Sequence, residues 1–469
     1  MTIMDSKPTE ISSEARSALS HAVAQREAHL SELTEFLRIP SISTQPDKAS
    51  HIAEAARWLA RSMERAGLNN VQVIETAGHP LVYSDWLLAG PDAPTVLVYG
   101  HYDVQPPDPL ALWKSPPFEP RIEDSYLYAR GASDDKGQLY VHVKTVESYL
   151  KSAGRLPVNV KFIIEGEEES GGKSLEAFVP NNKELLAADS ALVSDTHIVD
   201  QDQPSVVYGL RGMTYVFLDV TGPSRDLHSG SFGGGIDNPI NALAHIIARL
   251  KDEDGRIQIP GFYDRVRELA EQDKQLLAQS IIDEASWLAD TGAPEVWGEP
   301  EFSLLERLGA RPTLDVNGIV GGYTGAGAKT VLPSTVHAKI SMRLVPDQDP
   351  NEIFELFRDY VTAIAPDTVR VKCTKVHGAE PCIIDIDIPE MKAAALAYKR
   401  VFGRKPIYMR EGGSIPVISL FQKHLGLQTV LMGFGLAGDH IHAPNERMYL
   451  PNFYRGIETT IHYYDILSQ

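Results

Sequence analysis

Cysteine is nearly absent: 469 residues contain two, Cys373 and Cys382. Their spacing makes no Cys-x-x-Cys metal site, and two thiols cannot build the disulfide framework of a small secreted scaffold. Long hydrophobic runs are lacking too, and nothing approaches the ~20 apolar residues of a membrane-spanning helix. Positive charge is in deficit, with 44 Lys plus Arg against 63 Asp plus Glu and a formal charge of −19. Such a chain repels a phosphate backbone, so nucleic acid is not an expected partner. The first ten residues show no basic stretch followed by an apolar one, and so no signal peptide. The glycine-rich stretch 321–327 has no Lys-Ser/Thr directly after its last glycine, which argues against a phosphate-binding loop. Together these absences point to a soluble cytoplasmic protein with neither membrane nor nucleic acid as partner.

What is there is an ordinary globular composition, 43% hydrophobic and 23% charged. The length exceeds what one simple core fills, so two domains are expected. Residues 12–37 and 51–67 carry amphipathic helical spacing, and 71–74, 81–88 and 95–99 read as strands. A helix over 137–150 and strands over 158–164 and 191–193 follow. This alternation predicts an α/β domain with a mixed sheet and helices on its faces. The pattern changes near residue 209. Strands are predicted over 214–220 and 368–373, and helices over 239–251, 263–281 and 351–363. Between them Val336, Ala338, Ile340, Met342 and Leu344 alternate strictly, the mark of a half-buried strand. From 388 the earlier alternation resumes and ends in a helix over 451–467. Residues 209–383 therefore read as an α+β unit inserted into a discontinuous domain, 1–208 and 384–469.

Five acidic or histidine clusters sit next to strand-like runs: His101 with Asp103, Asp134 with Asp135, Glu167-Glu168-Glu169, Asp195, and His440 with His442. Polar groups at strand ends are how α/β folds build active sites. Each cluster has a plain structural alternative. His101–Asp103 can be a hydrogen-bonded pair and Asp195 a strand-end cap. His440 and His442 can be surface residues. An Asp can cap the helix at 137, but capping needs only one of the two. Three adjacent glutamates repel one another, and a metal ligand beside a general base makes sense of the crowding. Two His, two or three Asp and a Glu pair exceed the needs of one zinc and suit two divalent ions sharing a carboxylate.

These clusters belong to longer segments that carry a resemblance. GHYDVQP (100–106), RGASDDKG (130–137), EGEEESG (165–171), YGLRG (208–212), DLHSG (226–230), GAKTVLP (327–333), REGGSIP (410–416) and HAPNER (442–447) occur in order. The chain resembles the M20 metallopeptidases, in particular their carnosine and cytosolic nonspecific dipeptidase branch, over almost its whole length. The resemblance implies two zinc or manganese ions bridged by Asp134. His101 and Asp195 complete one site, and Glu169 and His442 the other. It implies Glu168 as general base, Asp103 orienting His101, and a cis Asp134–Asp135 peptide; Glu167 and His440 fall outside the pattern. It makes the inserted unit a lid and dimerisation domain of a homodimer. From that unit a partner subunit would lend His228 and Thr330 to the active site. Arg343 would clamp the substrate's free carboxylate, for which a guanidinium fork is suited. His377, Glu411 and Ser414 would be further substrate contacts. The expected reaction is hydrolysis of a dipeptide by a metal-bridged water, with Glu168 as base and His228 helping at the oxyanion. The alternatives are an N-acyl-amino-acid amidohydrolase with the same dimetal centre, and a metal-bound binding protein without activity. A carboxylate at 411, near the substrate's amino end, favours a free amine over an acyl cap. Glu168, a base with no structural need, speaks against the inactive protein.

Overall fold

The computed structural model describes residues 10–469, which divide into two compact units. The first runs to Tyr208 and resumes over Ile384–Tyr408 and Leu420–Gln469; the second is Gly209–Ile383 with Met409–Ser419. The latter short segment lies inside the stretch 384–469 that the sequence assigns wholly to the first domain.

In the first unit four strands form the parallel centre of the sheet: Asn159–Glu165, Thr95–His101, Ser190–Val193 and Gln428–Leu431, side by side in that order. Leu81–Trp86 adds antiparallel outside Asn159–Glu165, and Asn69–Ile74 adds antiparallel beyond it. Thr95–His101 is buried from Val96 onward, and Asn159–Glu165 throughout. Helices on both faces require such runs in a parallel sheet. The helix Lys136–Ala153 packs against both the strand Thr95–His101 and the helix Leu450–Leu467. Because the central strands are parallel, their carboxyl ends share one edge, and the polar clusters follow those ends.

The second unit is a four-stranded antiparallel sheet, ordered Thr313–Gly321, Thr335–Leu344, Gly212–Thr221, Arg370–Ala379. Val336, Ala338, Ile340, Met342 and Leu344 all point into its core, beside Leu243 and Ile246 of the helix Pro239–Ala248 and Phe357 and Val361 of the helix Pro350–Ile364.

Two helical expectations are corrected. Residues 12–37 form two helices, Ser13–Ala24 and Arg26–Leu37, broken at Gln25; neither glycine nor proline marks the break. Of residues 263–281 only Glu271–Leu277 is helical. Tyr263 is held elsewhere: its hydroxyl accepts the Ile257 N–H at 3.0 Å, and the guanidinium groups of Arg256 and Arg311 lie 4.7 and 5.1 Å from its ring. Tertiary contacts of this kind override a weak helical preference. Among the described residues no helix is long and apolar enough to cross a membrane.

Candidate metal centre

His101 ends its strand with a fully buried ring. Its Nε2 lies 3.1 Å from Asp134 Oδ1 and 3.9 Å from Asp195 Oδ2. Its Nδ1 faces Asp103, 3.1 Å from the backbone carbonyl and 3.4 Å from the carboxylate. On the other side of Asp134, His442 Nε2 sits 2.8 Å from Oδ2 and 3.2 Å from Glu169 Oε2. Two groups of three ligands result, His101–Asp134–Asp195 and Asp134–Glu169–His442, with the ligand atoms of each within 4.8 Å of one another. Asp134 belongs to both. Glu168 belongs to neither, and it follows closely on the strand Asn159–Glu165 in a short 3-10 turn. His440 is exposed and in neither group.

The donor set fits divalent ions. Each group offers an imidazole nitrogen and carboxylate oxygens, the donors zinc takes. The electrostatics ask for positive charge. Burial, reinforced by the Asp134 carboxylate, pushes Asp195 well above the usual range. Burial, with Glu169 and Asp134 adding and His101 opposing, pushes Glu168 up to about 8. Hydrogen bonds to Asp134 and Glu169 carry His442 up to about 10. Burial works against charge on Asp134, yet its hydrogen bonds with His101 and His442 hold it low.

Several residues that shape the centre carry roles the motif does not show. Asp103, expected only to orient His101, also accepts the backbone N–H groups of Glu168 at 3.3 Å and Glu169 at 3.1 Å. It thereby sets the turn that carries Glu168 and Glu169. Asp135 opens the helix Lys136–Ala153 but makes no side-chain cap. Its carboxylate instead accepts the His101 N–H at 3.1 Å, and a Cβ on Gly100 would come within 2.7 Å of it. A side chain there would displace the Asp135 carboxylate. Gln105 donates to Glu169 Oε2 at 2.8 Å. Glu167, outside the pattern by resemblance, serves the fold instead. Its two carboxylate oxygens accept the N–H groups of His79 and Ser174, both at 2.9 Å. Nothing in the sequence pointed to this role, since the His79 partner lies 88 residues earlier in the chain. The Asp134–Asp135 peptide is cis.

The remaining expected residues lie in the second unit. His228 pairs with Val331 on a short two-stranded ladder, and Ser229 N–H donates to the carbonyl of Thr330, the residue before that strand, at 3.1 Å. The exposed His228 ring accepts the Gly230 N–H at Nδ1, 3.0 Å away. Arg343 lies on the strand Thr335–Leu344 and donates to Ser414 Oγ at 2.9 Å, and that hydroxyl donates to the Arg211 carbonyl at 2.6 Å. His377 is on the strand Arg370–Ala379 opposite Tyr215. Glu411 ends the strand Ile407–Glu411. Arg211, not singled out by the sequence, lies close enough to Arg343 for the two charges to be felt. Burial chiefly, and then Arg343, lower it to about 10.

Residues 97–465 match the peptidase family M20/M25/M40. The chain is similar to the Cys-Gly metallodipeptidase DUG1 of Candida albicans, 32% identical over 93% of this chain and 94% of that protein. It is similar to the Beta-Ala-His dipeptidase of Mus musculus, 30% identical over 90% and 89%. Among solved structures, an M20 family metallo-carboxypeptidase, Sso-CP2 of Sulfolobus solfataricus, superposes with a TM-score of 0.85 at 34% identity, covering 94% of this chain and 99% of that one. With its strand-end ligands, shared aspartate and matching length, the chain belongs to peptidase family M20/M25/M40.

Proposed function

We propose that this protein is a metal-dependent dipeptidase that acts as a homodimer with two zinc or manganese ions per subunit. The observation that carries the reading is one buried carboxylate, Asp134, common to two three-ligand groups, with Glu168 beside them and in neither. The relatives named for Cys-Gly and Beta-Ala-His cleavage support a dipeptide substrate. Both are named as dipeptidases, which does not favour the N-acyl amidohydrolase alternative. A cytoplasmic location belongs to the same proposal and accords with two free thiols, Cys373 and Cys382.

Bound ions would polarise the scissile carbonyl and acidify the attacking water. Glu168, held on its turn by Asp103, takes the proton from that water and returns it to the leaving amine. His228 is arranged as a donor. Its Nδ1 accepts from Gly230, so a neutral ring carries its proton on Nε2, free to meet a developing oxyanion. Arg343, with Ser414 fixing one arm of the fork, takes the substrate carboxylate. Glu411 takes the free amine, and Thr330 and His377 make further contacts.

A substrate panel tests this. Dipeptides, N-acetyl and N-succinyl amino acids, and tripeptides are offered to the protein loaded with zinc and, separately, with manganese. Dipeptides are expected to be cleaved and the acylated amino acids left intact. Preferred removal of C-terminal residues from tripeptides would replace the dipeptidase by a carboxypeptidase, and cleavage of acyl caps alone would sink both.

The homodimer has its own test, because every proposed metal ligand lies in the first unit and His228 in the second. If a partner lends His228, then His228→Ala and Glu168→Gln each inactivate, yet exchanging subunits between the two restores activity. About half the dimers are then mixed, each with one intact site, so recovery approaches about a quarter of wild type. No recovery, with exchange demonstrated by two different tags, means that His228 acts within its own chain or not at all.

A further inference from the structure

The loop that carries Asp134 must present a carboxylate to both ligand groups, so its own N–H groups cannot be spent on a sheet. One buried side chain takes them. Glu446 is fully buried. Its Oε1 accepts Ser133 N–H at 3.0 Å and Asp134 N–H at 3.1 Å. Its Oε2 accepts Gly131 N–H at 2.9 Å and Arg130 Nη1 at 2.7 Å. Arg130 is 1% exposed. Its Nη2 donates to the carbonyls of Pro106 and Ala443, both at 3.3 Å. Pro106 lies three residues past Asp103, and Ala443 directly follows His442. The Glu446 backbone carbonyl adds a bond from Ala129 N–H at 3.1 Å.

One ion pair therefore ties the His101–Asp103 segment, the Asp134 loop and the His442 loop to one another. Fold stability is a poor reason to keep it. A buried ion pair gives little over an apolar pair of the same volume, since desolvation offsets most of the attraction. An apolar pair, however, could not accept N–H groups from three residues of one loop or bridge two carbonyls from two others. We propose that Arg130 and Glu446 are positioning residues, whose function is to hold the bridging carboxylate of Asp134 at the spacing both metal sites require. The inference rests on the dimetal reading and goes beyond it.

The test separates position from stability. Three variants are compared with wild type: Glu446→Gln, Arg130→Lys, and the double apolar variant Arg130→Met with Glu446→Leu. In glutamine one end becomes an NH2 facing N–H donors; lysine keeps the charge but reaches fewer carbonyls. Each protein is loaded with zinc or manganese and titrated with a chelator, and the metal retained is measured; thermal unfolding is followed in parallel. The double variant leaves the N–H groups of Gly131, Ser133 and Asp134 without their acceptor and is expected to melt below wild type. In it and in Glu446→Gln, which loses less stability, both sites lose metal affinity by about 10–100-fold, the range for groups that orient ligands. Turnover at saturating metal falls with KM little changed. Arg130→Lys should fall between, losing the His442-bearing site first. Wild-type retention of both ions by the double variant overturns the proposal. If the double variant does not fold, Glu446→Gln and Arg130→Lys decide: unfolding at a lower temperature with unchanged metal retention would make the pair structural only. Failure of the wild type itself to hold two ions would instead refute the dimetal reading.

Discussion

Glu168→Gln is expected to leave both metals in place and cut turnover by about 10²–10⁴-fold, the share a positioned acid–base group supplies. Glutamine keeps the size and polarity of the side chain and the backbone bond to Asp103. It cannot accept the proton. Glu168 stands in neither ligand group, whereas its neighbour Glu169 lies 3.2 Å from His442 and should, as glutamine, weaken one metal site. Burial pushes the Glu168 carboxyl up, toward the range in which a base is useful near neutral pH. The measurements are steady-state turnover and metal content of the purified variants. Loss of metal on Glu168→Gln would make it a ligand and shift the roles in the acidic run by a residue. Glu167→Gln should keep both metals and most of the turnover, its effect appearing in stability, because its carboxylate pins His79 and Ser174.

Asp134→Ala should empty both sites at once. Its two oxygens face opposite ways, Oδ1 toward His101 at 3.1 Å and Oδ2 toward His442 at 2.8 Å. Removing them leaves each group with one imidazole and one carboxylate, too few for tight binding of zinc. Activity is expected to fall below detection, with metal content well under two per chain by elemental analysis. The contrast with Asp195→Ala is informative, since Asp195 touches only the His101 group. Two full equivalents bound by Asp134→Ala would show that this carboxylate is not shared.

Much of this centre was legible in the sequence because of where parallel strands end. His101, the glutamate run and Asp195 each follow a short apolar run, and a parallel sheet brings those ends to one edge. The strand Thr335–Leu344 was equally plain, since one face in a core and one outside it impose a period of two. What could not be read was the support. Glu167 finds its partner at His79, and Glu446 finds its own at residues 130–134, through hydrogen bonds that leave no periodicity. The same holds for Met409–Ser419, whose place in the second unit follows from contacts such as Arg343 with Ser414. The expected helix over 263–281 shrank to Glu271–Leu277 for a related reason: Tyr263, at its start, is anchored at Ile257.

The two ligand groups also differ in how much chain must be in place before each can close. His101, Asp134 and Asp195 lie within one continuous stretch whose strands, Thr95–His101 and Ser190–Val193, pair directly. The other group needs His442, and the Arg130–Glu446 contact beside it joins residues 316 apart in sequence. Closing a loop of that length carries an entropic cost and makes the contact slow to form relative to local ones. The strands that carry His101 and Asp195 can therefore pair early, but Asp134, common to both groups, has its loop pinned only when Glu446, near the end of the chain, reaches it.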